Sequence, residues 1–310
     1  MSSANISNNI DAPLNIPAPL SWHQRLLFEP SRPAALGFLR MAFFGYMLWI
    51  YWDYQVVRWA DVSNVFWMVW SRYDLLGLPP ISKPYLLGIT FVWKLALLGA
   101  CLGWRTRWCS GISLVLGVYV LGLPLNYAKI SHFPGLLLIA TLMFWLSRSN
   151  DSWSIDQWQR RRRGGEPHRA SGEYTWPIRV VQLAMTLAFL GAGWSKLTGE
   201  GWLFTENLKY QFILHHYLED RSLPAIGLYI AQSDWLCMFL AMMTVAVELL
   251  APLALFNRWA RCFLISSLFL MQLGNATILG VHPEFPWLVL YWFWIPWNRV
   301  GDWLHKQMTA

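Results

Sequence analysis

The sequence predicts an all-α, polytopic membrane bundle of about eight transmembrane helices with both termini on the cytoplasmic side. Three observations lead there. Of 310 residues, 56% are hydrophobic and only 13% charged, against about 25% charged in an ordinary soluble domain. The apolar residues arrive in runs of about 18 or more, the length a helix needs to cross roughly 30 Å of hydrocarbon. The chain also carries 22 Trp and 12 Tyr, half-apolar rings that settle where a membrane meets water.

In chain order, residues 1–30 read as a disordered polar tail, 31–300 as one membrane domain and 301–310 as a short cytoplasmic tail. Met1–Leu20 is rich in Asn and Pro and lacks the basic start and apolar centre of a signal peptide. The first span is therefore expected to act as an uncleaved anchor. The expected spans are Ala34–Trp52, Tyr85–Gly103, Trp108–Asn126, His132–Ser147, Pro177–Leu197, Asp234–Phe256, Trp259–Leu279 and a short Phe285–Val300.

Orientation follows from the basic residues in the loops. With the N-terminus inside, the inner segments hold 15 Lys and Arg and the outer segments 7. The inner loops also absorb the net charge of +7, so nucleic acid is not needed to explain it. Arg160–Arg163 reads as a topology determinant or a basic patch facing lipid. Of Cys101, Cys109, Cys237 and Cys262, only Cys237 falls near the outer face. That argues against a disulfide framework and against a thiol-oxidising pair. Two outer segments are long. Asp53–Pro84, with Val65–Trp70, and Thr198–Ser233, with Trp202, Phe204, Leu208, Phe212, Ile213 and Tyr217, read as interfacial or re-entrant helices roofing a cavity.

Ionisable groups inside apolar spans are costly and often functional. Lys196 ends the fifth span in Gly191-Ala192-Gly193-Trp194-Ser195-Lys196-Leu197. The small residues admit a neighbouring helix or a ligand. Desolvation there penalises the ammonium, and a neutral Lys is a usable base or nucleophile. The bland alternative is a Lys that snorkels to the interface. His132, opening the fourth span, can hold a proton or orient an oxygen, or is an ordinary interfacial His. Glu248 lies mid-span, four residues before Pro252, which frees its carbonyl and predicts a kink. It reads as a substrate ligand or as a structural partner of Arg40 or Lys94. Gln272 and Asn275 share a helix face and can bond a substrate oxygen or a neighbouring helix. His215 and His216 with Glu219 and Asp220 read as a solvated face; no HExxH, GxSxG or Gly-rich phosphate loop occurs. No metal is expected.

Several of these segments together resemble the HTTM family, and within it the transmembrane domain of vitamin K-dependent gamma-glutamyl carboxylase. The likeness runs from about Pro30 to Pro296. It rests on Phe38-Leu39-Arg40 with Gly45, on His132 with Gly135-Leu136-Leu137, on Trp153-Ser154-Ile155-Asp156, and above all on Ala192-Gly193-Trp194-Ser195-Lys196-Leu197 with Trp202 downstream. Glu248 stands where the family has an acidic residue, and Gln272 where its motif has His. The Lys196-to-Trp202 spacing is one residue longer than the family pattern.

The resemblance implies that Lys196 deprotonates a reduced lipophilic quinone, vitamin K or menaquinone hydroquinone. Oxygen then adds, a peptide Glu loses a γ-proton, carbon dioxide traps the carbanion and the quinone leaves as epoxide. It implies that His132 assists near the carbanion. It places Glu248, Gln272, Asn275, Trp202 and Arg40 around the substrate or quinone. The carboxylase's large extramembrane domain has no counterpart in these residues, so a secreted peptide substrate would call for a partner subunit. Short bacterial members that help mature a secreted peptide imply the alternative, a non-catalytic maturation or export partner. Either way membrane lipid is the surroundings, and a bacterial inner membrane the expected location.

Overall fold

The computed structural model describes residues 21–53, 56–68, 79–127, 133–166, 168–199, 202, 205–218, 225–280 and 285–300. They are helical, with no strand among the described residues beyond one bridge, Ser31 to Ser171. The helices are α1 (Trp22–Phe28), α2 (Pro33–Ile50), α3 (Lys83–Leu102), α4 (Thr106–Gly122), α5 (Phe133–Leu146), α6 (Ile155–Arg162), α7 (Trp176–Thr198), α8 (Thr205–Leu218), α9 (Ile226–Ala231), α10 (Asp234–Leu250), α11 (Arg258–Ile278) and α12 (Leu288–Tyr291). Six helical stretches among the described residues are long and apolar enough to span a membrane: α2, α3, α4 extended to Tyr127, α7 from Gly172, α10 extended to Leu255, and α11. The shorter α5 is apolar throughout.

The connections sort to two ends, as alternating spans require. At one end Thr175 Oγ1 donates to the Glu29 carbonyl at 2.5 Å, Arg179 lies 3.9 Å from the Glu29 carboxylate, and Ser31 and Ser171 exchange backbone bonds. The loops at 103–107 and 148–156 join them through Asp156. At the other end Lys83 pairs with Asp61 at 2.7 Å, Met68 N–H donates to the Asn126 carbonyl, and Trp59 stacks on Tyr127. The segments expected inside therefore do meet at one basic end.

The Trp153–Asp156 motif is a staple at that end. Ser154 Oγ accepts from Gln157 N–H at 2.9 Å and caps α6. Asp156 accepts from the N–H groups of Arg105 and Thr106, at 2.8 and 2.9 Å, and from the Thr106 hydroxyl at 2.8 Å, so it caps α4. An acid at a helix N-terminus satisfies orphan donors and the helix dipole together. The Trp153 carbonyl accepts from Arg40 Nη2, a guanidinium with no exposed surface. Gly103 closes the turn between α3 and α4 at φ +69°, and a Cβ there would lie 2.3 Å from both the Arg40 guanidinium and Ser154.

The core is aromatic. Phe43 and Phe44 on α2, Phe144 on α5 and Phe293 after α12 pack with ring centroids 5.3–6.2 Å apart. Where the surroundings are as apolar as Leu, such close packing rather than burial from water holds helices together. This core explains a departure from the eight predicted spans. Phe285–Val300 is not a continuous helix but four residues of α12, a 3₁₀ turn, Trp292–Trp294, and a helical turn at 297–300. Pro286 and Pro296 bracket it, and Trp287, Val289, Leu290, Tyr291, Phe293 and Trp294 are buried, so it is a plug inside the bundle. In the outer segment Asp53–Pro84 the described residues form two 3₁₀ turns, Val56–Asp61 and Asn64–Phe66, while residues 69–78, with Val69 and Trp70, lie outside the described residues. Thr198–Ser233 does hold two helices, α8 and α9.

Candidate functional site

Lys196 is the third-last residue of α7 and Glu248 the third-last of α10. Each thus sits near the C-terminus of its helix, yet they touch. The helices are offset along their axes. Besides each other, α7 packs on the 3₁₀ segment Ala251–Leu255 and α10 on α8 and α9. Gly193 permits the contact: a Cβ there would come within 2.9 Å of Glu248 Cβ and 3.0 Å of the Leu249 nitrogen. The expected kink before Pro252 is present as a change of helix type. α10 gives way to 3₁₀, and Ala251 N–H takes the Glu248 carbonyl that Pro252 cannot.

Lys196 Nζ donates to Glu248 Oε1 at 2.5 Å. The carboxylate is 3% exposed and the lysine 23%. Trp202 covers the ammonium, its ring centroid 5.0 Å from Nζ, a distance at which the ring quadrupole attracts the cation. Two polar atoms beside this pair are buried without a hydrogen-bond partner among the described residues: Glu248 Oε2, an acceptor, and Trp202 Nε1, a donor. Unsatisfied buried groups cost about 1–3 kcal/mol each. A ligand hydroxyl, which both donates and accepts, would meet both needs.

The other expected site residues fall elsewhere. Glu248 pairs with neither Arg40 nor Lys94. Arg40 turns toward the basic end and holds the Trp153 loop, and Lys94 Nζ donates to the Trp52 carbonyl at 2.5 Å. Arg40 serves there as an anchor between α2 and that loop. Gln272 and Asn275 are half-buried on α11, and their side chains make no hydrogen bond among the described residues. His132 lies outside the described residues, as do Glu219 and Asp220.

Reading residues one at a time missed two things. One is the Lys196–Glu248 pairing, whose signal was opposite charge in two apolar spans. The other is Asp151, 3% exposed and gathering Arg148 Nε and Arg160 Nη1, each at 3.1 Å, and the Tyr174 hydroxyl at 2.8 Å.

A family model described as HTTM domain matches residues 28–300. No curated protein and no solved structure matches the chain.

Proposed function

The chain belongs to the HTTM family, and from that premise we propose that it is a membrane-embedded enzyme in which Lys196 acts as base toward a lipophilic hydroquinone. The single observation that carries this reading is the buried Lys196–Glu248 pair with two polar atoms beside it that have no hydrogen-bond partner among the described residues. A hydroquinone hydroxyl would donate to Glu248 Oε2 or to the Lys196 amine and accept from Trp202 Nε1. Glu248 would take up the proton that Lys196 carries, readying the amine to receive one from the hydroxyl. Trp202 would hold the ring against the amine and keep water out.

The hydroquinone supplies the reducing electrons: hydroquinone and O₂ give quinone epoxide and water. Coupled to this, as in the carboxylase that the family's chemistry resembles, a peptide Glu would exchange a γ-proton for carbon dioxide. A substrate-binding partner subunit belongs to this proposal, and so does a site facing the outer side of a cell membrane.

Epoxide formation tests it. Purified protein is incubated with reduced menaquinone or vitamin K and oxygen, beside Lys196→Ala. Product from the parent alone is expected. No product from either well-folded protein, with or without a candidate peptide, would favour the second reading: a maturation or export partner in which the pair only locks α7 to α10.

A further inference from the structure

At the basic end, across the bundle from Lys196, a cavity of about 420 Å³ opens between the start of α2 and α6. Its walls include Arg32, Asp151, Gln157, Arg161 and His168. Cavities that hold small ligands measure roughly 300–1,000 Å³. The sign of its charge follows from the contacts. Asp151 is answered twice over inside the protein, by Arg148 and Arg160 as well as by Tyr174. The imidazole of His168 stands 3.2 Å from Asp151 Oδ1 but is not aligned for a hydrogen bond. The Arg161 side chain makes no hydrogen bond or ion pair among the described residues. Arg32, at the N-cap position of α2, adds a second guanidinium to the wall. The cavity is thus an anion cradle.

Its depth identifies the anion. Trp104, Trp108, Trp158 and Trp259 are all exposed at this end. Arginines stack on three of them: Arg105 on Trp104 at 5.7 Å, Arg162 on Trp158 at 3.7 Å and Arg258 on Trp259 at 4.8 Å. Exposed Trp interleaved with Arg is the belt a membrane protein carries at headgroup level. Trp158 and Arg161 are both on α6, so the cavity mouth lies where lipid phosphates lie. We propose that this cavity binds the phosphodiester headgroup of an anionic glycerophospholipid, with Arg32, Arg161 and His168 around the phosphate.

The test uses the full-length chain, stripped of lipid in neutral detergent and titrated with phosphatidylglycerol while native mass spectrometry counts bound lipid. One tight site is expected, with phosphatidylcholine binding more weakly. Binding should fall about five-fold per arginine in Arg32→Gln/Arg161→Gln. Arg162→Gln, which alters a charge that does not line the cavity, should leave it unchanged. Should the double variant fail to fold, Arg161→Gln alone carries the test. Unaltered binding in the cavity variants overturns the site. So does an equal loss in Arg162→Gln, which would mean diffuse attraction. Displacement of the lipid by millimolar inorganic phosphate would make a free anion the occupant and overturn the lipid assignment.

Discussion

Lys196 Nζ stands 2.5 Å from Glu248 Oε1, across a helix contact that only Gly193 leaves room for. Removing one partner of a buried pair leaves the other charged and uncompensated, a loss of about 3–5 kcal/mol, whereas replacing both by apolar residues is often close to neutral. Lys196→Met and Glu248→Leu should each lower the unfolding midpoint in detergent, Glu248→Leu by less if the solvent-accessible lysine finds water. The double variant should recover most of the loss. Additive losses would mean that the two side chains do not interact.

A catalytic role separates from a structural one in kinetics. A positioned base contributes about 10²–10⁴-fold. Lys196→Ala should therefore lose epoxidation by that factor, measured at a temperature where it stays folded. Trp202→Phe keeps the ring over the amine but removes the Nε1 donor, and should raise KM for the hydroquinone more than it lowers kcat. An unchanged KM would place that donor outside the binding site.

Gly193 and Gly191 form a matched pair on α7. A Cβ at Gly193 collides with Glu248 and Leu249, whereas one at Gly191 meets nothing within 4 Å. Overpacking of this kind costs about 1–3 kcal/mol. Gly191→Ala should be neutral or slightly stabilising, since Ala favours helix by about 1 kcal/mol over Gly. Thermal unfolding of the two variants side by side reads the difference, and equal midpoints would contradict the close approach.

Asp156→Ala removes three acceptor contacts from the start of α4. Loss of a cap costs about 0.5–2 kcal/mol. A drop in stability with unaltered activity is expected, because the motif is built into the basic end and Lys196 is not. A fall in activity at full stability would mean that the motif reaches the reaction.

Reporter fusions after Arg163 and after Lys209 should report opposite sides of the membrane. α7 alone connects the Arg-rich segment to the Lys209–Asp234 contact at the start of α10. The same side for both would dissolve the alternation on which the outer placement of Lys196 rests.

Much of the fold was legible in the order of residues. Apolar runs of span length marked α2, α3, α4, α5, α7, α10 and α11, because crossing hydrocarbon leaves the backbone no alternative to helix. The last segment was misread for a related reason. Phe285–Val300 is as apolar as a span, but hydropathy cannot tell a segment that faces lipid from one that faces protein, and its Phe293 ring goes to Phe43 and Phe144. The Trp153–Asp156 motif was visible as a string; that it caps α4 and receives Arg40 was not.

The sequence by itself determined that the chain must live in a membrane, which end collects arginine, and that Lys196 and Glu248 carry charge where charge is expensive. Those are properties of composition and local order, settled by transfer free energies along one strand of chain. Only the tertiary structure decided that Lys196 meets Glu248 and not Arg40 or Lys94. That pairing depends on the offset of α7 against α10 and on the missing side chain at Gly193. Contacts between residues 52 positions apart arise from packing, and no local pattern records it.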